Sequence, residues 1–293
     1  MSGTWLKKMT IGCAAVTSVV WLLAGCSVQT AVEALQTVQE QKKPLTADQV
    51  VAKSIDAMGK LKGTKWHVQG DQRIMGPHDS GEMHVQSEAT FEQDQQNQYH
   101  SMMDIDAEAP GENHQIKMEM YTQDQELFIN MVRDEESTDG WVKKRLQPGE
   151  KDEVQELYQG VQHDTDKILN LFREEGKKVK LHEEADAYRL ELTLHNDPRI
   201  RSYMDFSDED GQNLWKSNEG IQYKSMTMTL WVDKKTFRQT QAEQTAELGI
   251  KENGKTGYWK QHWTMEFQGE VQQVIIPADV EQNAREIDDS SSY

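Results

Sequence analysis

The stretch Lys224-Ser225-Met226-Thr227-Met228-Thr229-Leu230-Trp231-Val232-Asp233-Lys234-Lys235-Thr236-Phe237 decides the fold class. Met226, Met228, Leu230 and Val232 recur every second residue, the period of a strand that buries one face. Asp233-Lys234-Lys235-Thr236 is a polar break between two strand-like runs, which reads as a hairpin turn. The strand that follows, Thr236–Leu248, therefore runs antiparallel to the first.

The same period extends outward in both directions. Upstream, Trp66, Val68, Gly70 and Ile74 alternate with mostly polar residues, as do Met83, Val85, Ala89 and Phe91. Tyr99, Ser101, Met103 and Ile105 continue the pattern, followed by Ile116, Met118 and Met120, then Leu127, Ile129 and Met131. Further strands are expected at Lys177–His182, around Leu190, Leu192 and Leu194, at Gly257–Gly269 and at Val271–Ile276. Leu190, Leu192 and Leu194 should share one buried face, and Trp259, Trp263, Met265 and Phe267 another. Asn253-Gly254 marks a second turn. Successive alternating strands with short polar breaks describe an antiparallel meander with one wet face.

Helices punctuate this pattern. Leu45-Thr46-Ala47-Asp48-Gln49-Val50 reads as a capping box, with Thr46 capping, Gln49 reaching back and Leu45 stapling onto Val50. The helix it opens spans Ala47 to Leu61, with Val51, Ile55 and Met58 as its apolar stripe. Glu150 to Gly176 and Asp197 to Trp215 are expected to be helical, and Pro277 to Ile287 a last short helix. Helix and meander, then helices and meander, fit one large antiparallel sheet better than two domains.

The N-terminus carries a different signal. Lys7 and Lys8 precede a mostly apolar run, Met9 to Leu23, of the length of a signal h-region. Leu23-Ala24-Gly25-Cys26 matches the bacterial lipobox, which predicts cleavage before Cys26 and lipidation of its thiol. The expected parts are a signal peptide at 1–25, a lipidated N-terminus and tether at 26–44, one domain at 45–287 and a tail at 288–293. Two acyl chains suffice for stable anchoring, where one binds marginally. The expected location is the extracytoplasmic face of the cell membrane.

Cleavage leaves 30 Lys+Arg against 50 Asp+Glu, a net charge of −20. Such a surface argues against nucleic acid and is repelled by anionic membranes, so a lipid and not electrostatics would hold it there. Cys13 falls in the signal and Cys26 is the acylation site, so the domain has no disulfide to lean on. It must be stabilised by burial alone.

Among candidate sites, the methionines come first. Twelve remain after cleavage, and Met118 and Met120 pair on one strand as Met226 and Met228 do on another. Unbranched, polarizable methionine suits either an irregular core or the lining of a cavity for acyl chains. Trp259 and Trp263 belong to the same candidate lining. His78, Asp79, Glu82 and His84, and separately His182-Glu183-Glu184, gather potential ligands without a recognised metal spacing, and read as solvated loop residues. No Gly-x-Ser-x-Gly, His-Glu-x-x-His or phosphate-cradling loop is present. The expectation is a non-enzyme without cofactor or metal.

The lipobox, first helix, methionine-rich strands, the Leu230–Phe237 turn and the closing Ile275-Ile276-Pro277-Ala278-Asp279-Val280 together resemble the DUF6612 lipoproteins of Gram-positive bacteria. That family is similar in turn to the LolA and LppX/LprG lipoproteins. The resemblance implies an α+β fold: a strongly curved antiparallel sheet, or half-barrel, with helices packed on its concave side. It implies a membrane-anchored protein that binds or carries a lipid or acyl chain. The alternative is a structural or protein-interaction role in the envelope, with a filled core. No catalytic residues are implied.

Overall fold

The structure, a computed structural model, describes residues 44–78, 81–134, 136–137, 140–147, 165–203 and 220–287. The lipobox with Cys26, the tether up to Lys43, Asp79, residues 148–164 and 204–219, and the tail lie outside them. The chain divides into two units, Met1–Pro44 and Leu45–Tyr293, and every element below belongs to the second.

That unit is built on one open sheet of thirteen strands among the described residues. The first meander comprises β1 (Thr64–Met75), β2 (Met83–Gln93), β3 (Tyr99–Ala109), β4 (Glu112–Gln123) and β5 (Glu126–Arg133). Two short strands follow, β6 (Glu136–Ser137) and β7 (Val142–Arg145). The second meander comprises β8 (Lys180–Glu183), β9 (Ala187–His195), β10 (Ile221–Asp233), β11 (Gln239–Glu252) and β12 (Lys255–Gly269). A last two-residue strand, β13 (Arg285–Glu286), completes the set. The order is β13-β7-β5-β4-β3-β2-β1-β12-β11-β10-β9-β8, with β6 on β5. The ladder between β1 and β12 joins the meanders, with Val68 opposite Met265 and Gly70 opposite Trp263. Every pairing is antiparallel except β13 on β7.

The turns follow local chemistry. At the β10–β11 hairpin, Asp233 Oδ1 accepts from the Lys235 N–H at 3.0 Å and the Thr236 N–H at 2.6 Å. A carboxylate thus replaces the backbone acceptors that a tight reversal loses. At the β11–β12 hairpin, Asn253 and Gly254 have φ of 48° and 79°, the positive angles that a type I′ turn demands and that Asn-Gly tolerates.

Helix α1 (Ala47–Met58) begins as expected. The Gln49 N–H donates to Thr46 Oγ1 at 3.3 Å, and the Thr46 N–H donates to Gln49 Oε1 at 3.0 Å. Residues 165–174 form a second helix, α2. Two 3-10 turns follow, Gly176–Lys178 and Pro198–Tyr203. Helix α3 (Ala278–Asn283) is shorter than the expected Pro277–Ile287, since Arg285 and Glu286 leave it to pair with β7.

Val50, Val51 and Met58 of α1, Ile168, Leu169, Leu171 and Phe172 of α2, and Ile200 form one core with the sheet. The sheet contributes Leu190, Leu192 and Leu194 of β9, Met226, Met228, Leu230 and Val232 of β10, and alternate residues of β11 and β12. A smaller cluster on the other face joins Val280 of α3 and Val274 to Tyr121 and Phe128.

Val271–Ile276 is not a strand, contrary to its alternation. β12 already pairs with β1 on one side and β11 on the other, so neither of its edges is open to the segment that directly follows it. The segment instead docks through Val274, whose N–H donates to the buried Asp94 Oδ2 at 3.0 Å.

Candidate functional site

Register decides which side chains share a face, because successive residues of a strand point to opposite sides. Starting at the helix-covered end, Leu190 of β9 lies opposite Leu230, which lies opposite Ala242, which lies opposite Met265. The row continues through Val68 and Ala89 to Met103, Met118 and Met131. It is apolar across nine strands. A parallel row runs Leu192, Met228, Gln244, Trp263, Gly70, Ser87, then Ile105 and Ile116.

The two halves of this face differ in cover. Leu190 is 0% exposed and Met228 1%, under α1 and α2. Among the described residues, the packed core ends at Val68, Ile74, Trp263 and Phe267 on β1 and β12. Beyond them, Met103, Ile105, Ile116, Met118 and Met120 are half-buried, and Met83 and Met131 are 36% exposed.

Each residue of the expected lining can now be placed. Met118, Met120, Met226, Met228, Trp259 and Trp263 all project from this one face. They divide by environment. Met226, Met228 and Trp259 sit in the core, while Trp263, Met118 and Met120 are half-buried along or beyond its border.

Away from the small cluster around Tyr121, Phe128 and Val280, the opposite face is polar. His84 Nε2 lies 2.7 Å from Asp71 Oδ2, and His262 Nε2 lies 3.0 Å from Glu243 Oε1. The hydrogen bond with His84 holds the Asp71 carboxyl below its ordinary range. Two hollows of about 410 and 430 Å³ share Glu88 and Asp104 on this side, and Lys117 pairs with Asp104 at 3.4 Å. Within the His78–His84 group, read from sequence as solvated, Glu82 accepts from the Tyr258 hydroxyl and His78 faces Glu252 at 3.4 Å. Among the described residues, no group of three or more His, Cys, Asp or Glu side chains is placed to hold a metal ion.

The alternation in the sequence identified the apolar face but missed its polar interruptions. Gln244 and Gln261 are 0% and 6% exposed and lie on it, inside strands whose composition reads as solvated. The only signal was their even spacing from Ala242 and Trp263.

The model of the family of unknown function DUF6612 matches residues 46–285. The chain is a DUF6612 protein. The matched range spans both meanders and the ladder that joins them, so the whole sheet belongs to the family pattern. No curated protein matches this DUF6612 chain. The solved structure of LprF from Mycobacterium bovis is similar over 79% of this chain and 95% of its own, at 13% identity and a TM-score of 0.35. A DUF1329 family protein from Desulfovibrio piger is similar over 77% and 93%, at 9% identity and a TM-score of 0.25. Rv2717c from M. tuberculosis is similar over 78% and 100%, at 10% identity and a TM-score of 0.22. Similarity at this level does not extend to function.

Proposed function

We propose that this DUF6612 protein is a lipid-anchored, non-enzymatic envelope lipoprotein that holds an acyl chain against the apolar sheet face of β2–β5. The observation that carries the reading is the continuation of the core face past its helices. Buried Leu190, Leu230 and Met265 pass without a break into half-buried Met103 and Met118 and exposed Met131. Methionine adapts to apolar ligands of varied shape, and five of them, Met83, Met103, Met118, Met120 and Met131, lie on this part of the face. On this reading the sheet curves strongly, as a half-barrel, with helices on its concave side and the chain beside them. Cys26, diacylated at the lipobox, tethers the domain to the extracytoplasmic side of the membrane.

The second reading, a structural protein with a filled core, draws support from Met226 and Met228, which are each 1% exposed under the helices. Native mass spectrometry of the purified protein, with extraction of copurified material, separates the two. The acyl reading expects a lipid-sized mass increment that organic extraction removes. Unliganded protein that also refuses added acyl chains would favour the filled core. Metabolic labelling with a palmitate analogue tests the anchor: label should be lost in Cys26→Ala, and label that persists would remove the lipoprotein claim.

A further inference from the structure

The apolar face is interrupted by amides at the border between its covered and uncovered halves. Gln244 on β11 lies opposite Trp263, and Gln261 on β12 lies opposite both Ala246 and Gln72. Gln244 and Gln261 are therefore diagonal neighbours on adjacent strands, within mutual reach of long side chains. Beyond this seam, among the described residues, neither α1 nor α2 packs on the face. Gln72 and Trp263 are half-buried, and Gly70, beside Trp263, has no side chain. A Cβ at Gly70 would meet Ser87 Oγ at 2.6 Å, so the serine hydroxyl leans into the place a side chain would fill.

The chemistry of the seam is one-sided. Gln244 Nε2 donates to the Tyr203 carbonyl at 3.1 Å, which fixes the amide and leaves its Oε1 as an acceptor. Among the described residues, neither Gln244 Oε1 nor Gln261 Oε1 has a hydrogen-bond donor, although both atoms are buried. A buried carbonyl oxygen without a donor is costly, and native proteins rarely leave one. The side chains around the pair on this face, Met228, Ala246, Trp263, Gln72 and Ser87, carry no charge. A carboxylate placed there would bring more acceptors and find no cation among these strand neighbours, and an unpaired buried charge is expensive; Lys167 of α2 lies over the Tyr203 ring, 4.9 Å from its centroid. A hydroxyl brings the missing proton without a charge.

Resting on the acyl-binding reading above, we propose that the bound amphiphile has a neutral, hydrogen-bond-donating hydroxyl headgroup, of the glyceride kind, which Gln244 and Gln261 hold. Its acyl chain then runs past Gly70 over Ile105 and Ile116.

The test compares 1-monolauroylglycerol with laurate, which share a chain and differ in headgroup. Each displaces a fluorescent acyl reporter from the purified protein at a pH where laurate is ionised. The wild type should bind the glyceride about tenfold more tightly, the order of a hydrogen bond made against one left unmade. In Gln261→Leu that preference should shrink by about threefold or more, the loss of one such bond, with laurate binding unchanged or improved. Gln244→Met should behave alike, and thermal unfolding of each variant confirms that it remains folded. Equal affinity for the two ligands, or a preference unchanged in both folded variants, would overturn the headgroup assignment while leaving acyl binding intact. Failure of both ligands to displace the reporter would sink both claims together.

Discussion

Leu192→Ala probes the register on which every assignment of a face depends. Leu192 is 1% exposed on β9, opposite Met228 of β10, which is equally buried, and both belong to the core under α1 and α2. Truncation removes three carbons, worth about 2.4 kcal/mol at ~0.8 kcal/mol for each buried methylene. The cavity left behind adds about 1–2 kcal/mol, because a site braced by strands on one side and helices on the other collapses only partly. The expected loss is therefore about 3.5–4.5 kcal/mol, within the range for core leucines. Urea denaturation followed by tryptophan fluorescence would read it as a lowered midpoint at unchanged slope. Thr193→Ala is the internal control. Thr193 points to the other face, where its hydroxyl lies 3.2 Å from that of Thr227, so its loss should cost about 1 kcal/mol or less. A loss below about 0.5 kcal/mol at Leu192, the usual surface value, would refute the register. So would equal losses at the two adjacent positions.

Other outcomes follow from single contacts. Asp94 is fully buried; its Oδ1 accepts from the Gln96 and Gln98 N–H groups and its Oδ2 from that of Val274. Asp94→Ala should cost about 3 kcal/mol by leaving buried donors unpaired, and should raise hydrogen exchange at Val274 first; unchanged exchange there would refute the docking role. Gly254 sits at φ 79°, so Gly254→Val should cost about 1–2 kcal/mol, measurable by calorimetry; a neutral substitution would contradict the turn assignment. Hydrogen bonds from Lys178 and then Arg199 hold the Glu175 carboxyl below its ordinary range, and Arg199 does the same for Asp197. Both carboxyls take up protons less readily in the folded chain than in the unfolded one. The stability they confer is present above the unfolded value of about 4 and is lost as pH falls through the depressed folded values. Glu175→Gln should thus be less stable than the wild type near neutrality and lose less between about pH 5 and pH 3. Parallel pH curves for the two proteins would deny the effect.

Most of the sheet was legible in the sequence because alternation is a local property. The Met226–Val232 run, the Leu190–Leu194 run and the Trp259–Phe267 run each bury the face that their spacing indicates. The capping box at Thr46 and the turn at Asp233 were equally legible, since each is closed by side chains within three residues. What escaped depends on the rest of the fold. Val271–Ile276 alternates like a strand, but whether it pairs depends on which edges of the sheet remain free. The glutamines at 244 and 261 look solvated until the register places them beside Trp263 and Ala246. The division of the methionines between a sealed and an open half follows from where α1 and α2 pack, which strand periodicity does not encode.

The central claim is that acyl chains lie on one face of β2–β5, and two adjacent methionines on β3 provide the most direct test. Met102 is 44% exposed on the polar face, while Met103 is half-buried on the apolar face next to Met118. With methyl-labelled methionine, a lauroyl glyceride carrying a nitroxide on its chain should broaden the Met103 and Met118 resonances much more strongly than that of Met102. Equal broadening of Met102 and Met103, or broadening of neither at saturating ligand, would contradict the account.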